Sequence, residues 1–269
     1  MSRSGLPKFG NPPVVEVALS IMFDTLPAYR AAHAGLLWQR IRDQFPDTED
    51  LPEIPPTIEE PSGPASAPPR LELMERPRVR TWFRSADGTQ LVQVQSNRLA
   101  YNWKKGSAEH HYPSYDEVEG GFRQVLPIFE EFVSKEGLGK IEATQAELTY
   151  VNHIQEPHNA VDRVFNFFHH PVGNGFLPPP EDVVHYAARY PIVEASKEVR
   201  GRLIVELQPA YLTSDRSEIL RLTLIARGKP LAPDIDGALA FLNIGHEWIV
   251  NGFAELTTTE MQAKWERRQ

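Results

Sequence analysis

The chain has 269 residues, 41% of them hydrophobic, with 28 Lys+Arg against 36 Asp+Glu, a formal net charge of −8, and no cysteine. This ordinary globular composition excludes a collagen-like chain, a disulfide scaffold, a thiol enzyme and any cysteine-ligated zinc or iron–sulfur site. The acidic balance also disfavours a protein that attracts nucleic acid with its whole surface.

At roughly 100–200 residues per domain the length allows one large domain or two small ones. The opening MSRSGLPKFGNPP has a positive start but no apolar run behind it, so no secretory signal is expected. The most apolar stretch, Val14–Phe23, is far short of the roughly 20 residues a membrane helix needs. The expectation is a cytoplasmic protein without membrane contact.

Val15, Val17, Leu19, Ile21 and Phe23 alternate with Val14, Glu16, Ala18, Ser20 and Met22, which reads as a strand with one apolar face. From Tyr29 to Phe45 the period changes: Leu37, Ile41 and Phe45 recur every four residues, predicting an amphipathic helix ended by Pro46. Residues 46–70 hold eight of the 24 prolines, which excludes a helix or a central strand and predicts a loop. Strands are expected at Arg78–Arg84, Gln90–Gln95 and Leu99–Trp103, with Ala86-Asp87-Gly88-Thr89 as a hairpin turn. Residues 115–136 read as a helix that Gly137 stops, with Pro127 kinking or splitting it.

The second half repeats the order. Residues 141–154 form a strand with Ala146, Leu148, Tyr150, Asn152 and Ile154 on one face, and Asn159–His169 a short helix. Strands follow at 183–194, 199–209 and 218–227, then a helix from Asp234 to about Phe253 with Leu239, Leu242, His246 and Ile249 on one stripe. A last helix over 257–267 is capped by Thr257 or Thr258, with Glu260 completing a capping box. The order β-α-βββ-α thus occurs twice, over 14–136 and 141–255. This predicts one α+β domain over 1–269: a largely antiparallel sheet, helices packed on one face, and the other face left as the natural binding surface.

Several segments together resemble a sporadically distributed family of uncharacterised bacterial proteins. They are Asn11-Pro12-Pro13-Val14-Val15-Glu16-Val17, Trp38 to Pro46, Leu148-Thr149-Tyr150-Val151-Asn152-His153-Ile154, His246 to Val250, and Leu256-Thr257-Thr258 with Met261 to Trp265. The resemblance spans almost the whole chain. It implies a bacterial cytoplasmic protein of patchy occurrence, which suits defence-associated or mobile genes. It brings no activity with it.

Alternation places Arg78, Arg80, Trp82 and Arg84 on one strand face, where guanidinium groups flank an indole. Such a face binds phosphate or stacks an aromatic partner; the alternative is a solvated face paired with carboxylates such as Glu72. Gln93 and Gln95 would extend it. Tyr150 and Asn152 share a face with His153 opposite, so they serve either ligand recognition at a strand end or structural hydrogen bonding. Glu16 is expected to pair with an arginine such as Arg40. No three-residue metal spacing appears: His246-Glu247 begins like HExxH, but Val250 stands at the second histidine position. The pairs His110-His111 and His169-His170 diverge by geometry. No GxSxG, P-loop or Rossmann glycine pattern occurs.

The sequence therefore points to a binding or interaction module without cofactor or metal, working in a multi-component system of defence or toxin–antitoxin type. Its first partner is another protein. Nucleic acid at the local basic-aromatic patch, and a homo-oligomer, stay open. The competing readings are a hydrolase or nuclease with a dispersed site at Tyr150, Asn152, His153 and Glu16, and a small-molecule sensor with its ligand between the halves.

Overall fold

The alternation that begins at Val14 organises the whole molecule. In the computed structural model, which describes residues 5–55, 57–59, 79–107, 110–167, 183–193 and 197–268, it becomes the central strand β1 (Val14–Phe23). The first half continues with α1 (Ala31–Ile41), β2 (Asp47–Pro52), β3 (Val79–Arg84), β4 (Gln90–Gln95), β5 (Arg98–Lys104) and α2 (Tyr115–Lys135). The second runs β6 (Ala143–Ile154), α3 (Val161–Val164), β7 (Tyr186–Val193), β8 (Val199–Tyr211), β9 (Glu218–Gly228) and α4 (Ile235–Leu256), followed by α5 (Thr259–Lys264).

The strands form one antiparallel sheet in the order β2-β3-β4-β5-β1-β6-β9-β8-β7. β1 pairs with β6 at its centre, with Leu19 opposite Leu148. The two halves therefore meet through their first strands, and each continues outward through its last, middle and earlier strands. This is the duplicated α+β architecture the element order predicts.

β2 departs from the expected loop. It pairs with β3 at the sheet edge, with Asp47 opposite Arg84 and Pro52 opposite Val79. A proline lacks a ladder donor, but at the end of an edge strand no donor is required. The exposed carboxylates of Asp47, Glu49 and Asp50 also discourage further edge pairing.

One sheet face carries the core. Leu19, Ile21, Phe83, Val92, Leu99, Leu148, Leu222 and Leu224 are buried there beneath α2 and α4. Phe122, Phe129 and Phe132 of α2 and Phe241 and Leu242 of α4 are fully buried on the facing stripes. Each such side chain contributes about 1.5–3 kcal/mol of transfer free energy. Gly121 permits the closest approach of α2: a Cβ there would lie 2.3 Å from the Tyr101 hydroxyl.

Local chemistry sets the helix ends. Ser114 accepts a bond from the Glu117 amide at 3.1 Å and caps α2, while Gly137 ends it at φ +61°. Pro127 does not split α2, which runs unbroken through it with the proline on the exposed side. Asp234 caps α4 through the Gly237 amide at 2.7 Å. α1 and α3 are shorter than their apolar patterns suggested, and His169-His170 fall outside the described residues. Thr258 rather than Thr257 caps α5, so Glu260 sits one position too early for a capping box. Met261 and Trp265 are buried, Trp265 with its ring 5.0 Å from Phe253. The C-terminal helix therefore packs on the body. Gly10 and Asn11 donate to the carbonyls of Glu266 and Trp265, both at 3.1 Å, tying the N-terminal arm to the C-terminal end. Among the described residues no helix is long and apolar enough to cross a membrane.

Candidate binding surfaces

The second face of the sheet is polar. On β1 it presents Glu16, Ala18, Ser20 and Met22, which lie opposite Lys104, Asn102, Ala100 and Arg98 of β5. Gln93 and Gln95 of β4 lie opposite Ala100 and Arg98, and Trp82 of β3 lies opposite Gln93. Arg80, Trp82 and Arg84 thus share this face as the alternation predicts; Arg78 and Glu72 lie outside the described residues.

These side chains form one connected array. The Arg80 and Arg84 guanidinium carbons lie 5.2 and 5.5 Å from the Trp82 ring centre, within cation–π range. Gln93 Oε1 accepts from Arg80 Nη1 at 3.0 Å and from Trp82 Nε1 at 2.8 Å. Its Nε2 donates to Asn102 Oδ1 at 2.7 Å, and Asn102 Nδ2 donates to Glu16 Oε1 at 2.6 Å. A hydrogen-bond chain therefore crosses four strands, from β3 to β1. Glu16 also stands 3.8 Å from Lys104 Nζ, and Arg84 pairs with Glu49. Arg80 Nε is buried without a hydrogen-bond partner among the described residues, and burial pulls the Arg80 pKa below its ordinary value. The carboxylate pairing considered for this face thus holds for Arg84 through Glu49, whereas Arg80 is held by a neutral amide.

The expected Glu16–Arg40 pair does not form. Arg40 projects from α1 on the helical side, where it meets Glu136 at 3.4 Å and Glu131 at 3.6 Å and lies over the Phe132 ring. Glu16 faces the other way, so the sheet separates them. Tyr150 and Asn152 are likewise on the helical face, with Val17 opposite Tyr150. His153 is on the open face opposite Arg221. Its imidazole pKa is lowered by burial and, secondarily, by the Arg221 charge. The four residues of the dispersed catalytic reading therefore fall on two sides of the sheet.

Residues 53–55 and 57–59, from the proline-rich segment, lie across the open face. Gln95 brackets Ile54, accepting from its amide at 3.1 Å and donating to its carbonyl at 2.9 Å. Gln145 accepts from the Glu59 amide at 2.6 Å and donates to the Thr57 carbonyl. The buried Glu59 carboxylate meets Arg202 on β8 and, at 3.7 Å, Arg189 on β7. Beneath this crossing lies buried Arg98, whose Nη2 contacts Met22 Sδ at 3.3 Å. Burial lowers its pKa; the Glu147 charge opposes the shift, and Arg227 and Arg80 add to it.

On the helical side, where the halves meet, is a cavity of ≈ 520 Å³ between the starts of β1 and α2, the end of β6, and α4. The N-terminal arm lines it with Phe9, packed edge-on against Phe253 at 5.3 Å. Three polar rings line it in a relay: Tyr112 and Tyr150 join through their hydroxyls at 2.8 Å, and the Tyr150 hydroxyl meets His246 Nδ1 at 3.2 Å. Tyr115 stacks on His246 with centroids 4.0 Å apart. Burial pushes the Tyr112 pKa up, more than its bond to Tyr150 offsets, so its hydroxyl stays protonated. Tyr112, Tyr115 and His246 were not legible as one cluster. His246 lies in a core stripe, and nothing in the spacing links it to tyrosines about 130 positions away. Among the described residues no group of three His, Cys, Asp or Glu is placed to hold a metal.

No protein-family model matches the chain, and no curated protein does. Among solved structures, it is similar to a chain described as "Methanococcus jannaschii TBP", at 12% identity over 91% of this chain and 99% of that one, with a TM-score of 0.26. An overlap this low carries no functional argument.

Proposed function

We propose that this protein is a binding module that engages another protein through the open sheet face at Arg80, Trp82 and Arg84. The observation that carries this reading is the hydrogen-bond chain from Arg80 and Trp82 through Gln93 and Asn102 to Glu16. It orders the indole and the Arg80 guanidinium before any partner arrives, while Arg84 pairs with Glu49 on the other side of the ring. Preorganised Trp and Arg side chains are the residue types that dominate protein interfaces. The partner that fits presents a carboxylate to Arg80 beside an apolar or aromatic group for the Trp82 ring. Net charge −8 sets nucleic acid second, because the rest of the surface repels phosphate. The resemblance to patchily distributed bacterial proteins supports a cytoplasmic role within a multi-component system of defence or toxin–antitoxin type. The dispersed hydrolase reading loses its motivation with Tyr150 and Asn152 on one face and Glu16 and His153 on the other.

The test is a photo-crosslinking amino acid at position 84, with one at Arg123 on α2 as control, in the native host. The expected result is a discrete protein adduct at 84 and not at 123, unaffected by nuclease. Equal labelling from both positions, or a nuclease-sensitive adduct alone, contradicts a protein partner at this face.

A further inference from the structure

The cavity on the helical side is separate from that face, and its chemistry is specific. Asn152 lines it at the end of β6 and is 1% exposed. Its Nδ2 donates to the Leu222 carbonyl at 3.2 Å, its one side-chain hydrogen bond among the described residues, which leaves Oδ1 open as an acceptor. Around it are the Tyr112–Tyr150–His246 relay, the stacked Tyr115 ring, and an apolar wall of Phe9, Val14, Ile249 and Phe253. Among the described residues the charged part of the lining is peripheral: Lys8, Asp116 and Arg268 are all exposed. A volume of ≈ 520 Å³ with a mainly apolar lining and a few convergent polar groups is the usual form of a small-molecule site.

We infer that this cavity binds a small, uncharged, planar aromatic compound that carries an N–H or O–H donor for Asn152 Oδ1. Each part of the description follows from the lining. Flat rings on several sides favour a planar ligand through offset and edge contacts. Among the described residues no lysine or arginine lines the depth of the site, so a buried anion would lack a fixed counter-charge there, at high cost. A buried acceptor left without a donor penalises ligands that lack one more than it rewards added surface. The wall residues come from both halves and the N-terminal arm, so the site exists only in the assembled fold.

The experiment is calorimetric titration of the full chain with three probes of nearly one shape: naphthalene-2-carboxamide, methyl 2-naphthoate and 2-naphthoate. The carboxamide is expected to bind saturably, about tenfold or more tighter than the ester, which has no donor. The charged naphthoate is expected to bind more weakly still. Asn152→Leu should erase the preference for amide over ester, and Val250→Trp, which fills the cavity from the half-buried wall of α4, should abolish binding of both. Val250→Trp keeps the test decisive if Asn152→Leu fails to fold. Absence of saturable binding, equal affinity for amide and ester, or unchanged binding in Val250→Trp overturns the inference. Arg80→Glu should leave these affinities unchanged, so failure here is distinct from failure of the open-face reading.

Discussion

The indole N–H of Trp82 donates to Gln93 Oε1 at 2.8 Å across the β3–β4 pair, and this bond fixes the ring between Arg80 and Arg84. A tryptophan on an open sheet face would otherwise lose rotamer freedom on binding. Here the loss is taken up in folding. Gln93 also accepts from Arg80, so one amide orders the indole and one of its two flanking cations.

Gln93→Leu tests that role. It removes three half-buried hydrogen bonds, each worth about 0.5–1.5 kcal/mol, and replaces the amide with an apolar side chain of similar size. The expected outcome is a stability loss of about 1.5–4.5 kcal/mol in urea unfolding, with a large fall in crosslinking from position 84. Unchanged crosslinking would show that the ordering of Trp82 is irrelevant to binding.

Glu59→Ala addresses the segment across the open face. The substitution takes the Glu59 carboxylate away from the buried Arg202 guanidinium and from Arg189. Breaking a buried pair from one side costs about 3 kcal/mol or more. Urea unfolding should shift by that amount, and amide hydrogen exchange at Ile54 and Glu59 should accelerate. An unmoved midpoint would mean that the crossing contributes nothing to the fold.

Pro127→Ala should stabilise the protein. The ring removes an amide that would bond to the Arg123 carbonyl in an otherwise continuous helix, a defect costing about 3 kcal/mol. The added flexibility of the unfolded chain returns about 1 kcal/mol of that. A net gain of about 2 kcal/mol should raise the thermal midpoint; a decrease would mean that the proline shapes α2 in a way its neighbours require.

His153 makes stability depend on pH in a defined direction. Its folded pKa lies below the ordinary 6.5, chiefly through burial and then through Arg221. As pH falls, the unfolded chain takes up the proton before the folded one. Stability is therefore fully present above the unfolded value near 6.5 and declines as pH drops below it. His153→Gln has no such titration. The unfolding free energy of the native chain minus that of the variant should be constant above about pH 7 and shrink toward pH 5. A constant difference throughout would contradict the shift.

Much of this was legible from period alone. Alternation placed Trp82 with Arg80 and Arg84, and Tyr150 with Asn152 away from His153, because side-chain direction in a strand follows from parity. The duplicated order came from the same patterns. What parity cannot give is register between distant strands, so the link from Gln93 through Asn102 to Glu16 stayed hidden, and Glu16 was assigned to Arg40 across the sheet. β2 was hidden by its carboxylates and by Pro52 at its end, which describe an edge strand as well as a loop. The cavity joins Tyr112 and Asn152 to His246, brought together only by the pairing of β1 with β6 and the docking of α4.

The most direct measurement is the affinity of the crosslinked partner, once purified, for the native chain and for Arg80→Glu, with thermal midpoints recorded alongside. Binding weakened at least a hundredfold at a midpoint lowered by no more than a few degrees is the predicted result, since the partly buried Arg80 gives up one hydrogen bond to Gln93. Equal affinity for the two proteins at matched midpoints would place the interface elsewhere on the molecule.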